Sequence, residues 1–500
     1  MPSKAKKPLK LLFVAAEDAP FAKVGGLGEV MYALPRALRQ LGHDVRVFMP
    51  KYARIGRRRI RMEKIVHDLR LMRPEHDPYG LTVANVLQYN AKDGAITYFL
   101  ENMEYYEKRA NVYGYVDDAA RWVLLSRGVL EFLKRSEWKP DVIVANDWPA
   151  GFIPNLMATE YKHDPVISRI ASAFVIHNLA YQGMFDVYFL KDEDYDSGTE
   201  PLPDPLGKGV IKLNGMRRGV RYADVISTVS PTYAREILTP EFGERMDDVL
   251  RKRQDRLYGI RNGMDYDKFN PLTDPIIAAR YHAKALDVRV KNKTALQRMF
   301  KLNRDPDKFI VGFVGRLDEQ KGIRLFMQNA RQLFENLDFQ FVLVGTGEKD
   351  FRMFFRELQE EFPGRIGAHL YFDEKLPKHI FAGADAILMP SRFEPAGLVQ
   401  IEAMRYGCIP IVRKTGGLAD TVEDYWPGRG QGTGFVFNPY EPTAMLIALV
   451  RAWQAYRNKR EWRAIVRRAM AKDFSWDASA RAHVELYRTA IRFHRASTRG

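Results

Sequence analysis

The sequence has few of the features that mark secreted or membrane proteins. Its 500 residues include a single cysteine, Cys408, so no disulfide can form within the chain, which fits a reducing compartment. No apolar run approaches the roughly 20 residues that a membrane-spanning helix requires. The apolar segment 11–16 is too short for the core of a signal peptide and is stopped by Glu17 and Asp18. These absences predict a cytoplasmic protein with no membrane partner.

Composition and charge are those of a globular protein with an excess of basic residues. Hydrophobic residues make up 46% and charged residues 28% of the chain, and 500 residues exceed what one hydrophobic core usually supports. The formal net charge of +16 first suggests a nucleic-acid partner. The basic residues are dispersed, however, apart from clumps such as Arg57–Arg59, and aromatic residues do not alternate with them. We therefore predict two or more domains, a basic surface that can attract an anionic small substrate, and no nucleic-acid partner.

Both halves of the chain follow a strand–loop–helix–strand pattern. In the first half, an apolar run at 9–16 is followed by a glycine-rich loop, a helical pattern that ends before Gly42, and a second apolar run at 45–49. This βαβ unit implies a parallel sheet with right-handed crossovers. The pattern restarts at 309–314, and Asn, Gly and Pro cluster at 262–274. The sequence predicts an α/β protein with two doubly wound, Rossmann-like domains in series.

The first of four informative loops, Lys23–Glu29, follows the first predicted strand. Gly25, Gly26 and Gly28 would let backbone N–H groups approach a ligand closely at the start of the next helix. The spacing is not that of a dinucleotide-binding loop. A tight strand-to-helix turn is an equally good explanation of these glycines.

The second loop, Arg316–Gly322, places Arg316 and Lys321 five residues apart after a strand of the second half. A planar guanidinium and a compact ammonium can bind a diphosphate and stabilise the charge it gains on leaving, without a metal ion. The alternative is a pair of solvated surface cations.

The third loop, Ser391–Leu398, lies between a strand and a helix and contains Glu394. This carboxylate can bind sugar hydroxyls or stabilise a positive anomeric carbon, and the N–H groups of Gly397 and Leu398 can hold a phosphate. Glu402, inside the helix, would be within reach of a ribose. The alternative for Glu394 is a carboxylate that interacts only with the helix dipole.

The fourth loop, His177–Gly183, lies at the same predicted sheet edge as Asp147 and Trp148. Ligands of open α/β sheets bind at this edge, and amide, phenol and imidazole groups suit a hydroxyl-rich sugar. A purely structural histidine is the alternative for His177. No cluster has the spacing of metal ligands, and no nucleophile-elbow or P-loop pattern is present, so we expect no metal and no cofactor.

Taken together, these motifs resemble the bacterial glycogen synthase and starch synthase family, which consists of retaining GT-B glycosyltransferases. The resemblance covers nearly the whole chain, and the order and spacing of the motifs distinguish this family from other GT-B enzymes. The matching segments are Lys23–Gly28, His177–Gly183 with Met184 and Phe185, Thr228–Ala234, Asn262–Asp265, Arg316–Gly322, 390–422 and Asp473–Trp476.

The resemblance implies two Rossmann-like domains that face each other across a cleft. Residues 1–264 would form the acceptor-side domain, 265–476 the nucleotide-sugar-binding domain, and 477–500 a helix that crosses back to the first domain. The implied reaction transfers glucose from ADP-glucose to the non-reducing end of an α-1,4-glucan with retention of configuration and without a metal. Because no second nucleophile is evident, front-face substitution is the implied mechanism.

The functional residues of the family carry over position by position. The resemblance implies that Arg316 and Lys321 bind the diphosphate, that Glu394 contacts the transferred sugar, and that His177 and Asp147 are active-site residues of the first domain. The implied substrate contacts are Lys23, Gly25, Gly26, Asn178, Tyr181, Asn262, Phe372, Gly397, Leu398 and Glu402.

Four positions depart from the family pattern. Asn146 replaces a histidine and cannot titrate near neutral pH. Glu29 replaces an aspartate and is one methylene longer, and Ala396 replaces a cysteine beside backbone contacts. Phe372 replaces a tyrosine that stacks on the base, which keeps the stacking and removes the phenol.

Two other functions are compatible with parts of this pattern. A GT-B enzyme that uses UDP-glucose, or a sucrose-type enzyme, would share the second-domain cations and Glu394, but the motifs Lys23–Gly28 and His177–Gly183 argue against it. A glucan-binding protein without turnover would share the fold. The presence of all five implied catalytic residues favours an enzyme.

Overall fold

The computed structural model describes residues 7–56, 60–72, 76–77, 79–92, 94–183, 195–204, 207 and 212–498. The clump Arg57–Arg59 and the motif residues Met184 and Phe185 lie outside these ranges. The chain divides into two compact units. Unit 1 comprises Met1–Val229, Ala234–Gly263 and Trp476–Gly500, and unit 2 comprises Ser230–Tyr233 and Met264–Ser475.

Unit 1 is built on a nine-stranded sheet. Its strands are β1 (Lys10–Val14), β2 (Asp44–Pro50), β3 (Glu63–Arg70), β4 (Val83–Asn90), β5 (Ile96–Glu101), β6 (Val142–Asn146), β7 (Ala171–Ile176), β8 (Val225–Thr228) and β9 (Leu257–Gly259). Their order across the sheet is β3-β4-β5-β2-β1-β6-β7-β8-β9. β4 is antiparallel to β3 and to β5, whereas the remaining pairs are parallel. The predicted parallel sheet is therefore confirmed, except that β4 is reversed. The connection from Asn90 to Ile96 is too short for the crossover that a parallel β4–β5 pair would need.

Eight helices lie along the first 263 residues. They are α1 (Gly26–Gln40), α2 (Ala53–Gly56), α3 (Asp118–Arg135), α4 (Asp147–Ala150), α5 (Phe152–Ala158), α6 (Gly215–Tyr222), α7 (Pro231–Glu236) and α8 (Asp247–Lys252), within the described residues. α1 begins at Gly26, inside the glycine-rich loop. Its apolar stripe, which includes Leu27, Met31 and Leu34, belongs to the unit 1 core. Gly42, at φ +87°, follows its end.

Unit 2 has a six-stranded sheet in which every pair is parallel. Its strands are β10 (Phe309–Val314), β11 (Phe339–Val344), β12 (Ile366–His369), β13 (Ala386–Met389), β14 (Ile409–Arg413) and β15 (Phe435–Phe437). The order β12-β11-β10-β13-β14-β15 reverses direction between β10 and β13. In doubly wound sheets a ligand binds at the carboxyl ends of the strands at such a switch point.

The remaining helices surround the unit 2 sheet, except for the last. They are α9 (Arg289–Met299), α10 (Arg324–Asn336), α11 (Lys349–Glu361), α12 (Leu376–Gly383), α13 (Val399–Arg405), α14 (Gly416–Thr421), α15 (Pro442–Arg457), α16 (Lys459–Ala471) and α17 (Trp476–Ser497). α17 belongs to unit 1, where Tyr487 packs edge-on against Phe13 with ring centroids 6.1 Å apart. Across the described ranges, no helix is long and apolar enough to span a membrane.

Candidate active site

Three loops of unit 2 follow neighbouring strands at the switch point. They are Arg316–Gly322 after β10, 390–398 after β13 and 414–417 after β14. Backbone hydrogen bonds join them: the Arg392 N–H donates to the Gln320 carbonyl at 2.9 Å, and the Gly417 N–H donates to the Glu394 carbonyl at 3.0 Å. The loops therefore form one connected surface at the carboxyl edge of the sheet.

Lys321 and Glu394 form an ion pair on this surface. Nζ of Lys321 lies 2.6 Å from Oε2 of Glu394, and the Ser391 hydroxyl donates to the same oxygen at 2.9 Å. The Glu394 side chain is 7% exposed and that of Lys321 is 20% exposed, so the carboxylate is buried while its partner cation is reachable. A buried carboxylate needs such a partner, and the ion pair replaces the helix-dipole explanation of Glu394.

Arg316 is held by its own loop and is more accessible. Its guanidinium lies 2.7 Å from Oδ2 of Asp318 and donates to Oε1 of Gln320 at 2.7 Å, while its side chain remains 51% exposed. The other Asp318 oxygen accepts the Lys321 backbone N–H at 2.9 Å. Asp318, which no sequence motif marks as functional, therefore connects the segments that carry the two cations.

The helix start after Glu394 depends on a glycine. Gly397 has φ +59°, and a Cβ there would lie 2.6 Å from Oε1 of Gln400. Leu398 is the N-cap of α13, and Glu402 lies in its first turn with its N–H donating to the Leu398 carbonyl at 3.0 Å. Gly397, Leu398 and Glu402 thus lie together on the segment next to Glu394.

Phe372 follows β12 and is 75% exposed. The preceding residue, Tyr371, is 52% exposed, and its hydroxyl lies 2.8 Å from Nδ1 of His369. Exposed aromatic rings at the ligand edge of a sheet are available for stacking on a flat group.

In unit 1 the ends of β6 and β7 bring Asp147 to His177. Oδ1 of Asp147 accepts the His177 backbone N–H at 2.7 Å, and Asp147 has the unusual φ of +56°. Burial raises the pKa of Asp147 to about 7, although the N–H groups of residues 177 and 178 oppose this shift. Burial lowers the pKa of His177 to about 3, so its imidazole is neutral near pH 7.

The contacts of the Asn146 side chain explain why an amide can replace the histidine of the family pattern at this position. Its Nδ2 donates to the carbonyls of Val14 and Val144 at 3.2 and 3.0 Å, and its Oδ1 lies 3.0 Å from Nε2 of His177. Only 2% of Asn146 is exposed. An amide can donate twice and still orient the neutral His177 without carrying charge at a buried position.

The glycine-rich loop is held by Glu17, which in the sequence marks only the end of an apolar run. Its Oε2 accepts the N–H groups of Val24 and Gly25 at 2.6 and 2.9 Å, and its Oε1 accepts the Tyr113 hydroxyl at 2.8 Å. A Cβ at Gly25 would meet nothing within 4 Å, and the same is true of Gly26. Packing in the described chain therefore does not explain these glycines, which favours close approach of a ligand.

The other predicted unit 1 residues lie near the strand ends. Nζ of Lys23 lies 2.6 Å from Oε1 of Glu29. Oδ1 of Asn178 accepts the Ala180 N–H at 3.1 Å, and Tyr181 is 52% exposed. Asn262 is partly exposed and lies one residue before the end of the unit 1 segment Ala234–Gly263, after which unit 2 resumes at Met264.

Comparisons with known proteins cover both units. Residues 10–252 match the family model described as starch synthase catalytic domain, and residues 296–464 match glycosyl transferases group 1. A glycogen synthase from Desulforudis audaxviator is 42% identical over 97% of both chains, and one from Thermotoga maritima is 39% identical over 97% of this chain and 99% of its own. The chain belongs to the glycogen synthase and starch synthase family.

Solved structures agree with this membership. The catalytic domain of starch synthase IV from Arabidopsis thaliana, bound to ADP and acarbose, superposes with a TM-score of 0.83 at 31% identity and covers 97% of this chain and 100% of its own. A sucrose-phosphate synthase from Thermosynechococcus elongatus, at 19% identity and a TM-score of 0.59, shares the fold. The fold is that of GT-B glycosyltransferases, and the predicted family and fold class are confirmed.

In the part of this glycogen synthase family member that the structure describes, no group of three or more His, Cys, Asp or Glu side chains is placed to hold a metal ion. The functional candidates on the strand ends are cations, single carboxylates, amides and aromatic rings, which suit electrostatic and hydroxyl recognition.

Replacing Glu17 by glutamine is expected to weaken the hydrogen bonds that hold the glycine-rich loop in place. The glutamine oxygen can still accept the Val24 and Gly25 N–H groups, and its amide can donate to the Tyr113 hydroxyl oxygen, but these hydrogen bonds are no longer made to a charged group. A hydrogen bond to a charged group contributes about 1.5–3 kcal/mol and a neutral one about 1 kcal/mol, so loss of the charge should raise the KM for the nucleotide sugar by about tenfold. Steady-state kinetics measure this effect.

Tyr113→Phe is the matched control for Glu17→Gln, because it removes one hydrogen bond to Glu17 and leaves both loop N–H groups bound. Its KM should rise by less than that of Glu17→Gln. Equal effects, or an unchanged KM in Glu17→Gln, would show that Glu17 does not position the loop.

Stability is expected to fall as pH rises from 6.5 to 8.5. Burial raises the pKa of Asp18 to about 8 and that of Asp147 to about 7, so the folded chain holds protons that the unfolded chain releases near pH 4. Their stabilisation is complete at low pH and is lost as pH rises through the folded pKa values. Since one pKa unit corresponds to about 1.4 kcal/mol, the decrease should be on the order of 2–3 kcal/mol.

Urea unfolding at pH 6.5, 7.5 and 8.5 measures this decrease. Asp18→Asn should remove most of the pH dependence, and Asp147→Asn should remove a smaller part, because the Asp18 pKa lies higher. A wild-type curve that is flat over this range would contradict the assignment of the two buried acids.

Proposed function

We propose that this chain transfers glucose from ADP-glucose to the non-reducing end of an α-1,4-glucan with retention of configuration. The observation that carries the proposal is the Lys321–Glu394 ion pair, which places a reachable cation beside a buried carboxylate at the switch point of unit 2. ADP and acarbose in the starch synthase IV structure support a nucleotide donor and a glucan acceptor.

We assign binding of the nucleotide-sugar donor to residues of unit 2. Arg316 and Lys321 would bind the diphosphate and stabilise the charge that it gains as the glycosidic bond breaks. Glu394 would hold the transferred glucose while its charge keeps Lys321 in place. Phe372 would stack on the base, and the contacts proposed for the phosphate and the ribose are Gly397, Leu398 and Glu402.

In unit 1 we assign groups that bind sugar hydroxyls or the donor. The neutral His177 can donate and accept hydrogen bonds without adding charge, and Asp147 keeps its backbone in place. Lys23, Gly25 and Gly26 would approach the donor through the loop that Glu17 holds. The remaining proposed contacts are Asn178, Tyr181 and Asn262.

In this proposal, the anomeric carbon keeps its configuration because the substitution takes place on its front face. The 4-hydroxyl of the acceptor attacks the anomeric carbon on the face from which the diphosphate departs, and the departing phosphate oxygen takes the hydroxyl proton. The protein then supplies positioning and charge stabilisation, which Arg316 and Lys321 can provide without a metal ion.

The test is the initial rate of glucose incorporation into glycogen from ADP-glucose and from UDP-glucose, together with release of the nucleoside diphosphate. We expect kcat/KM for ADP-glucose to exceed that for UDP-glucose by at least about tenfold, which corresponds to about 1.4 kcal/mol of base discrimination. A preference for UDP-glucose would overturn the donor assignment. Glucan binding without turnover of either donor would identify a non-catalytic protein.

A further inference from the structure

Unit 1 contains a cavity of about 390 Å³ that is lined by none of the residues assigned to the reaction. It lies between α1 and the strands β2, β4 and β5, and its walls include Phe21, Met31, Tyr32 and Tyr89. Small-molecule sites are typically concave spaces of about 300–1,000 Å³ with mostly apolar walls and a few polar groups. The cavity has the size and lining of such a site.

Asp18 supplies a polar group in this cavity. It lines the cavity with only 4% of its surface exposed, and no described residue donates a hydrogen bond to its carboxyl group. Buried carboxyl groups normally have a partner, and leaving one unsatisfied costs about 1–3 kcal/mol. A carboxyl group that faces a cavity is available to a ligand, and in its protonated form it can both accept and donate a hydrogen bond.

Aromatic rings form part of the wall around Asp18. Tyr89 meets Phe21 edge-on with ring centroids 5.4 Å apart, and Tyr32 on α1 is 38% exposed. Such walls favour a flat, largely apolar group over a fully hydroxylated one.

A second cavity, of about 530 Å³, adjoins the first at Arg36 and Lys92, which line both. Arg39 adds another cation to it. The Asp44 carboxylate also lines this space, but it already accepts the Trp138 indole N–H at 2.7 Å and lies 3.5 Å from Nε of Arg46. The adjoining space therefore favours an anionic group.

We propose that unit 1 binds a nucleoside monophosphate in these adjoining cavities. The base lies against Phe21, Tyr32 and Tyr89 and donates its amino hydrogens to Asp18, and the phosphate binds Arg36, Arg39 and Lys92. A sugar phosphate without a base would leave the aromatic walls and Asp18 unmatched, and a nucleoside without phosphate would leave the cations unmatched. This site is separate from the proposed donor site in unit 2.

Calorimetric titration of the full chain with AMP tests the proposal. Lys321→Ala serves as the background in which binding at the unit 2 site is weakened, and the AMP site should persist there. In that background, Asp18→Ala and Arg39→Ala should each weaken AMP binding by at least about tenfold, the effect of losing one good hydrogen bond or charge contact. Lys162→Ala, which removes an exposed cation of unit 1 outside both cavities, should leave it unchanged.

Adenosine and ribose 5-phosphate separate the two halves of the ligand, and each should bind at least about tenfold more weakly than AMP. Asp18→Asn, which preserves the shape of the side chain and keeps an acceptor oxygen, guards against a folding defect in Asp18→Ala and should bind AMP more tightly than Asp18→Ala does. The proposal is overturned if AMP binding disappears with Lys321→Ala alone or if Asp18→Ala and Arg39→Ala bind AMP as Lys162→Ala does. Ribose 5-phosphate binding as tightly as AMP would also overturn it.

Discussion

Replacing Lys321 by alanine is expected to lower kcat for ADP-glucose-dependent glucan synthesis by about 10²–10³-fold, the usual effect of removing one group that stabilises transition-state charge. The diphosphate gains negative charge as it leaves, and the alanine variant has no ammonium there to stabilise it. The same change leaves the buried Glu394 carboxylate with the Ser391 hydroxyl in place of a cation. Loss of one partner of a buried ion pair costs about 3–5 kcal/mol, so stability should also decrease.

Steady-state kinetics and urea unfolding separate the two effects of Lys321→Ala. The matched control is Lys308→Ala, because Lys308 precedes the same strand, β10, and its partner Asp338 is 71% exposed. That control should change kcat little, since exposed ion pairs contribute about 0–1 kcal/mol and no proposed substrate contact is involved. A near-normal kcat in Lys321→Ala would remove Lys321 from the mechanism.

The double variant Lys321→Ala/Glu394→Ala tests whether the two side chains act as one unit. If Lys321→Ala is destabilised chiefly by the unpaired carboxylate, removing the carboxylate as well should recover part of the lost stability. Activity should not recover, because both proposed substrate contacts are then absent. Partial recovery of stability without recovery of activity would show that the ion pair stabilises the fold and that both side chains are also needed for the reaction.

The strand-to-helix loops were predictable from the sequence because their signals are local. Apolar runs followed by glycine, proline or polar residues located the ends of β1, β7, β10 and β13, where the site candidates lie. The contact between Lys321 and Glu394 joins residues 73 positions apart, and the sequence contains no local signal for it. Only the family resemblance or the structure could therefore show that these two loops lie next to each other.

Glu17 and Asp18 illustrate what local patterns miss. Both follow an apolar strand and would ordinarily be exposed, as most acidic residues are. Glu17 instead binds backbone N–H groups, which have no sequence signature, and Asp18 faces a cavity. Reversal of β4 was missed for a similar reason, because a short connection between apolar runs can be recognised only once both strands are assigned.

Replacing Gly416 by alanine is the second change expected to have a large effect. Gly416 has φ +42°, and a Cβ there would lie 2.0 Å from the Glu394 carbonyl oxygen, well inside van der Waals contact. Since that oxygen is backbone, the loop that carries Glu394 must move. Displacement of a catalytic group by about 1 Å can lower a rate by about 10²-fold, and we expect a loss of kcat of that order.

The control for Gly416→Ala is Gly42→Ala, which separates steric displacement from the cost of the backbone conformation alone. Gly42 also has a positive φ, +87°, but a Cβ there would meet nothing within 4 Å. Both variants should lose about 1–3 kcal/mol of stability from the strained conformation, measured by urea unfolding. Only Gly416→Ala should lose activity, because only its Cβ displaces the Glu394 loop. Equal kcat in the two variants would mean that the Glu394 loop tolerates displacement and that its position does not limit the reaction.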